Sequence, residues 1–116
     1  MAKQARRQFK KEELIFREGD EGDCAYLIER GRVLIYLTED TTEVPLRVLG
    51  DGEVFGEMAL IDSEPRSATA VAITDVELVP ISEKQFLFLV TQTPYFALKV
   101  MRILAQRLRV TSKSLD

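Results

Sequence analysis

Residues 55–70 read FGEMALIDSEPRSATA, and this stretch is the most informative one in the chain of 116 residues. The sequence predicts that Val54 and Phe55 end a β-strand and that residues 57–61 form a short helix directly after it. Gly56 stands between the two elements, where the absence of a side chain allows another group to approach the backbone closely. The stretch therefore predicts a strand that turns into a helix around one open position.

The same stretch contains the residue types of a site for a small phosphate ester. Free N–H groups in the first turn of the short helix would point toward an anion. Arg66 offers a planar fork of donors that matches two phosphate oxygens, and Pro65 restricts the backbone before it. Glu57 would repel a phosphate unless it has a separate task, such as accepting a hydrogen bond from a sugar hydroxyl. The alternative is a structural ion pair between Glu57 and Arg66 with no ligand.

The composition excludes several classes of chemistry. The chain has no histidine and a single cysteine, Cys24, which excludes a Ser-His-Asp triad, a His-ligated metal site and an intrachain disulfide. The net charge of −3 argues against a nucleic-acid-binding domain. No apolar run approaches the ~20 residues of a membrane span, and the N-terminus lacks a signal-peptide pattern. We expect a cytoplasmic protein that is not an enzyme and that binds neither metal nor membrane.

Short β-type runs alternate with Gly- and Asp-containing turns over residues 13–81, and this regular spacing predicts an antiparallel sandwich or barrel. The predicted strands are 13–16, 24–29, 32–37, 44–49, 67–73 and 76–81. Residues 1–12 are basic and predict a solvated leader, with a weak phosphate or partner contact as the alternative.

Two helices are predicted after the strands. Ser82 and Gln85 form a capping-box pattern before a helix over 83–91. Thr93 and Pro94 then begin a second helix that runs to about residue 112. No linker or repeat interrupts the chain, so we expect one domain over residues 1–116. Its predicted parts are the leader 1–12, the β roll 13–81 and the C-terminal helices 82–113.

The quoted stretch resembles the phosphate-binding cassette of the cyclic-nucleotide-binding domain family, with the cassette at residues 55–68. This family includes the catabolite activator protein, protein kinase A regulatory subunits and nucleotide-gated channels. Residues 15–33, which read IFREGDEGDCAYLIERGRV, are similar to the opening strands of the family. The resemblance implies a mainly β fold: an antiparallel β jelly roll, or double-stranded β-helix, followed by a short helix and a long dimer helix.

The resemblance also implies a role for each cassette residue. Glu57 would accept a hydrogen bond from the ribose 2′-hydroxyl, and Arg66 would hold the cyclic phosphate. The backbone or apolar groups implied to line the same pocket are those of Phe55, Gly56, Met58, Ala59 and Ser67. Leu60 and Ile35 are either further apolar neighbours of the ligand or plain core residues. In this family a threonine after the cassette arginine often accompanies cyclic GMP, and Ser67 at this position is less decisive. The expected ligand is cyclic AMP, with cyclic GMP as the alternative, and no cofactor is implied.

The last predicted helix carries a second set of expectations. Its polar residues form one stripe, namely Lys99, Arg102, Gln106, Arg109 and Lys113. The wide apolar arc that remains predicts a homodimer through this helix, or alternatively burial between the roll and the N-terminal segment. Arg107 lies off the stripe and either extends to water along its stem or contacts a ligand. The run 107–112 is similar to the dimer helix of catabolite-activator members, which implies that Arg107 and Thr111 approach the ligand, with Ser112 reaching across from the partner subunit.

Together these observations predict a non-catalytic regulatory sensor domain that binds a 3′,5′-cyclic nucleotide and relays occupancy through its C-terminal helices. It would form either the sensor part of a transcription regulator or a stand-alone domain, with DNA contacted only through a module absent from this chain. One alternative is a ligand-free structural or dimerisation module that retains the fold. A cupin-type enzyme is the other, and the lack of histidine removes its usual metal ligands.

Overall fold

The strands of this chain pair into two four-stranded antiparallel sheets in a computed structural model that describes the backbone of residues 6–115 and the side chains of residues 6–61 and 63–106. The strands are β1 (Arg7–Phe9), β2 (Leu14–Phe16), β3 (Cys24–Arg30), β4 (Val33–Glu39), β5 (Thr42–Leu49), β6 (Val54–Phe55), β7 (Thr69–Ala72) and β8 (Val76–Ser82). The short helix α1 (Met58–Asp62) lies between β6 and β7, and α2 (Glu83–Gln92) and α3 (Pro94–Leu115) follow β8. The sheet orders are β1-β8-β3-β6 and β2-β7-β4-β5. The predicted β roll with C-terminal helices is therefore confirmed.

The apolar core is shared by the two sheets because apolar residues alternate along the strands. In β4, Val33 and Ile35 are buried, whereas Leu34 and Tyr36 between and beside them are partly exposed. Ile35 belongs to the same cluster of buried residues as Phe55, which has no exposed surface. Burying a side chain of this size stabilises the fold by about 1.5–3 kcal/mol.

Part of the predicted basic leader joins a sheet. Residues 7–9 form β1, which pairs with β8, and Phe9 packs against the core cluster. Gln8 donates a side-chain hydrogen bond of 3.2 Å to Glu77 on β8, and Arg6 donates one of 3.3 Å. The charge of this segment predicted that it is solvated. Instead, the packing of Phe9 and the pairing with β8 hold residues 7–9 as an edge strand.

The chain divides into two compact units at the boundary between Glu83 and Lys84. The first unit contains both sheets and α1. In the second unit, the rings of Phe86 and Phe96 meet edge to face with their centroids 5.7 Å apart. The predicted helix boundaries agree with α2 and α3, although α3 continues to Leu115. None of the described helices is both long and apolar enough to cross a bilayer. The prediction of one domain over 1–116 stays a prediction.

Candidate functional site

The strand-to-helix turn at Gly56 has the predicted form. β6 ends at Phe55, Gly56 adopts a left-handed backbone with φ of +77°, and α1 begins at Met58. The helix starts one residue later than predicted, because the Glu57 carbonyl accepts the first helical hydrogen bonds, from the N–H groups of residues 60 and 61 at 3.0 and 3.2 Å. Since α1 has only five residues, the case for an anion site depends on Arg66 rather than on a helix N-terminus.

The backbone of Arg66 is fixed to a distant loop. Its N–H donates to the carbonyl oxygen of Asp20 at 2.7 Å, and its own carbonyl accepts from the N–H of Gly19 at 2.8 Å. The Asp20 carboxylate in turn accepts from the backbone N–H of Arg17 at 3.0 Å. These paired hydrogen bonds, in addition to Pro65, determine where the arginine side chain starts.

The guanidinium of Arg66 is buried, with only 6% of the residue exposed. One terminal nitrogen (NH1) donates to the carbonyl oxygen of Gly56 at 3.0 Å, and the other (NH2) donates to that of Cys24 at 2.8 Å. The Nε atom is buried without a hydrogen-bond acceptor among the described residues. An unsatisfied buried donor of a charged group is energetically costly. The guanidinium is therefore suited to an anion that supplies an acceptor oxygen.

Two glycines leave room around this guanidinium. A Cβ atom on Gly22 would lie 2.5 Å from Arg66 Nε and 2.6 Å from Cζ, and it would also meet the Cβ of Ala59 at 3.0 Å. A Cβ atom on Gly56 would lie 2.7 Å from the NH1 nitrogen. Because real Cβ atoms do not approach this closely, any other residue at either position requires the guanidinium to move.

Glu57 follows Gly56 directly and is fully buried, with no exposed surface. Glutamate is rarely buried to this degree, because removing a carboxylate from water is costly unless its surroundings stabilise it. A buried carboxylate and a buried guanidinium thus lie on the two sides of one short segment, 57–66. The Arg66 hydrogen bonds described above go to backbone carbonyl oxygens, so a simple ion pair does not account for the way the arginine is held.

The remaining predicted site residues differ in their surroundings. Phe55 is fully buried in the core, Ala59 is buried with 6% exposed, Met58 is partly buried, and Ser67 is exposed. The positions predicted to reach the ligand from the last helix are Arg107, Thr111 and Ser112. Their backbone belongs to α3, but their side chains lie outside the described residues, so these contacts stay predictions.

Sequence reasoning missed three groups around Arg66. Gly22 was interpreted as a turn residue, and Cys24 and Phe16 only as strand residues. A glycine that gives space and a carbonyl that accepts a hydrogen bond have no distinctive side-chain chemistry. The one available signal was the second glycine of the Gly19–Gly22 loop, which the sequence alone does not connect with Arg66.

Known proteins are similar to this chain in both sequence and fold. Residues 6–93 match the family described as "Cyclic nucleotide-binding domain". The chain is 39% identical over 112 residues to the "Cyclic AMP receptor protein" of Thermus thermophilus, covering 96% of this chain and 52% of that protein. It therefore spans about half the length of that relative.

Solved structures give the same result. The crystal structure of the Thermus thermophilus Catabolite Activator Protein has a TM-score of 0.86 and 38% identity, covering 97% of this chain and 54% of that one. The cAMP-bound form of the EAL enzyme Bd1971 has a TM-score of 0.73 and 49% identity, covering 94% of this chain and 30% of that one. A cGMP-bound form of the same enzyme also matches, with a TM-score of 0.74 and 49% identity, covering 95% of this chain and 30% of that one.

Proposed function

This chain belongs to the cyclic nucleotide-binding domain family, and from that premise we propose that it is a non-catalytic regulatory domain that senses a 3′,5′-cyclic nucleotide, with cyclic AMP favoured. The observation that carries the proposal is the buried Arg66 guanidinium, held by two backbone carbonyls with its Nε–H lacking an acceptor among the described residues. A cyclic phosphate supplies anionic oxygens to such a donor. The cAMP-bound form of the EAL enzyme supports the same ligand class.

The other cassette residues have defined roles in this proposal. Glu57 accepts a hydrogen bond from the ribose 2′-hydroxyl. The backbone groups of Gly56, Ala59 and Ser67 line the phosphate side, and Met58 supplies apolar surface. Phe55 is buried in the core and contributes through its packing on Phe16 and Tyr26. We favour cyclic AMP because the Thermus relative is named as a cyclic AMP receptor, whereas Ser67 is less decisive.

The output of the domain is a regulatory signal rather than a reaction. The absence of histidine removes the usual acid–base and metal-binding side chain. The matched proteins include a catabolite activator and an EAL enzyme, of which this chain covers 54% and 30%. In our proposal, the effector of each protein lies in the remainder of its longer chain. We favour a transcription regulator, in which ligand binding shifts the population of the C-terminal helices and DNA is contacted by another module.

Calorimetric titration of the purified protein with cyclic AMP, cyclic GMP and 5′-AMP tests this function. We expect saturable binding of cyclic AMP at one ligand per chain, weaker binding of cyclic GMP, and far weaker binding of 5′-AMP, because the open phosphate lacks the cyclic shape that fixes the phosphate relative to the ribose hydroxyl. A folded, ligand-free sample that binds neither cyclic nucleotide would overturn the proposal and favour a ligand-free dimerisation module.

We also propose that the chain forms a homodimer through α3. Leu98 and Met101 on this helix are 41% and 58% exposed, and exposed apolar side chains on one helix are suited to pairing with a second copy. Sedimentation should give a mass of twice 13.2 kDa. Met101→Glu should shift the protein toward a monomer, because it places a charge in the apolar arc. Gln106→Glu, which adds the same charge to the polar stripe, should not, and an equal shift in both variants would contradict this interface.

A further inference from the structure

The ring of Phe16 lies against the Arg66 guanidinium, with Cζ of the arginine 4.1 Å from the ring centroid. We propose that Phe16 is a positioning residue that fixes the plane of this guanidinium for the phosphate, an inference that rests on the proposed function. A cation over the face of an aromatic ring is attracted by the ring quadrupole, and the attraction is strongest where water is excluded. Arg66 meets that condition, since only 6% of it is exposed.

The ring of Phe16 restrains the guanidinium in a direction that its two hydrogen bonds leave free. The bonds to the carbonyls of Gly56 and Cys24 fix the two terminal nitrogens of the guanidinium. A flat group held at two points still rotates about the line that joins them. Stacking on Phe16 opposes this rotation, and it therefore determines the direction in which the Nε–H points.

Phe16 is itself held by a second layer of aromatic rings. Its centroid lies 6.3 Å from that of Tyr26 and 5.9 Å from that of Phe55, and these two rings stack at 5.4 Å. The Tyr26 hydroxyl accepts a hydrogen bond of 2.6 Å from Arg7. Burial, and after it the interaction with Cys24, raises the pKa of Tyr26 to about 12. This hydroxyl is therefore neutral at physiological pH. Phe16 pairs with Ala70 on β7, which places no large side chain at that position.

Three variants separate positioning from simple packing. Phe16→Leu removes the ring, and Phe16→Tyr retains it. Phe9→Leu is the matched control, because Phe9 is also partly buried against the core cluster but lies on β1, which pairs with β8. We expect Phe16→Leu to weaken cyclic AMP binding about tenfold, because the guanidinium is then no longer preorganised in one orientation for the phosphate. Phe16→Tyr and Phe9→Leu should stay within about twofold of the unmodified protein.

A ligand-free measurement distinguishes this inference from the proposed function. Urea unfolding of Phe16→Leu, Arg66→Leu and the double variant forms a double-mutant cycle. We expect the loss from Phe16→Leu to shrink once the guanidinium is absent. In NMR spectra, Phe16→Leu should move the Arg66 Nε–H resonance downfield, because the phenyl face shields protons above it, whereas Phe9→Leu should leave it in place.

The results distinguish a failure of the positioning role from a failure of the proposed function. Additive effects in the unfolding cycle, or equal loss of cyclic AMP binding in Phe16→Leu and Phe9→Leu, would overturn the positioning role. If the unmodified protein fails to bind any cyclic nucleotide while the cycle still shows coupling and the resonance moves, the proposed function falls and the stacking of Phe16 on Arg66 stands.

Discussion

Replacing Arg66 with leucine is expected to reduce cyclic AMP affinity by about three orders of magnitude, because it removes the buried charge that is proposed to pair with the phosphate. The substitution also removes two hydrogen bonds to the carbonyls of Gly56 and Cys24. Unfolding should therefore require less urea, with a loss of about 1–3 kcal/mol for buried carbonyls left without a donor. Titration calorimetry and circular dichroism on the same sample separate lost binding from lost folding.

Two further variants test whether the fork of donors, rather than charge alone, binds the phosphate. Arg66→Lys keeps the positive charge but lacks the planar pair of donors, so most of the affinity should still be lost. Gly22→Ala keeps Arg66 but places a Cβ 2.5 Å from its Nε, so binding should weaken because the guanidinium must move. Arg30→Leu, at an arginine of which 73% of the side chain is exposed, is the control. Unchanged affinity in Arg66→Leu would refute the phosphate clamp.

The fold was largely predictable from local patterns. Runs of alternating apolar residues separated by Gly and Asp gave the strands of both sheets close to their observed bounds. β1 was missed because Arg7 and Gln8 make its three residues look like a charged leader. Its formation depends on the pairing of residues 7–9 with β8, some 70 residues later in the chain, and no local pattern reports such a contact.

The site was predictable where its chemistry is carried by side chains of one segment. Gly56, Glu57 and Arg66 fall within ten positions of one another, and their residue types predict an anion site, with a structural ion pair as the alternative. The supporting groups come from residues 16–24, which the backbone pairing of Asp20 and Gly19 with Arg66 brings alongside the cassette. A pattern within one segment does not indicate which distant residues the tertiary structure places beside it.

Replacing Glu57 with glutamine is expected to weaken cyclic AMP binding by about 10- to 150-fold, the equivalent of 1.5–3 kcal/mol for a hydrogen bond to a charged acceptor. Glutamine has nearly the same shape, so the fully buried position should stay filled. The calorimetric control is Glu64→Gln, which changes an exposed carboxylate in the same stretch and should have little effect on affinity.

The choice of ligand makes this test specific to the ribose. Cyclic AMP and its 2′-deoxy analogue differ only in the hydroxyl that Glu57 is proposed to bind. The unmodified protein should prefer cyclic AMP strongly, and Glu57→Gln should remove most of that preference, because the deoxy analogue has no donor to lose. A general loss of packing would instead weaken both ligands equally and leave their ratio unchanged. A preserved ratio in Glu57→Gln would therefore show that the carboxylate acts on the fold and not on the sugar, whatever the size of the loss.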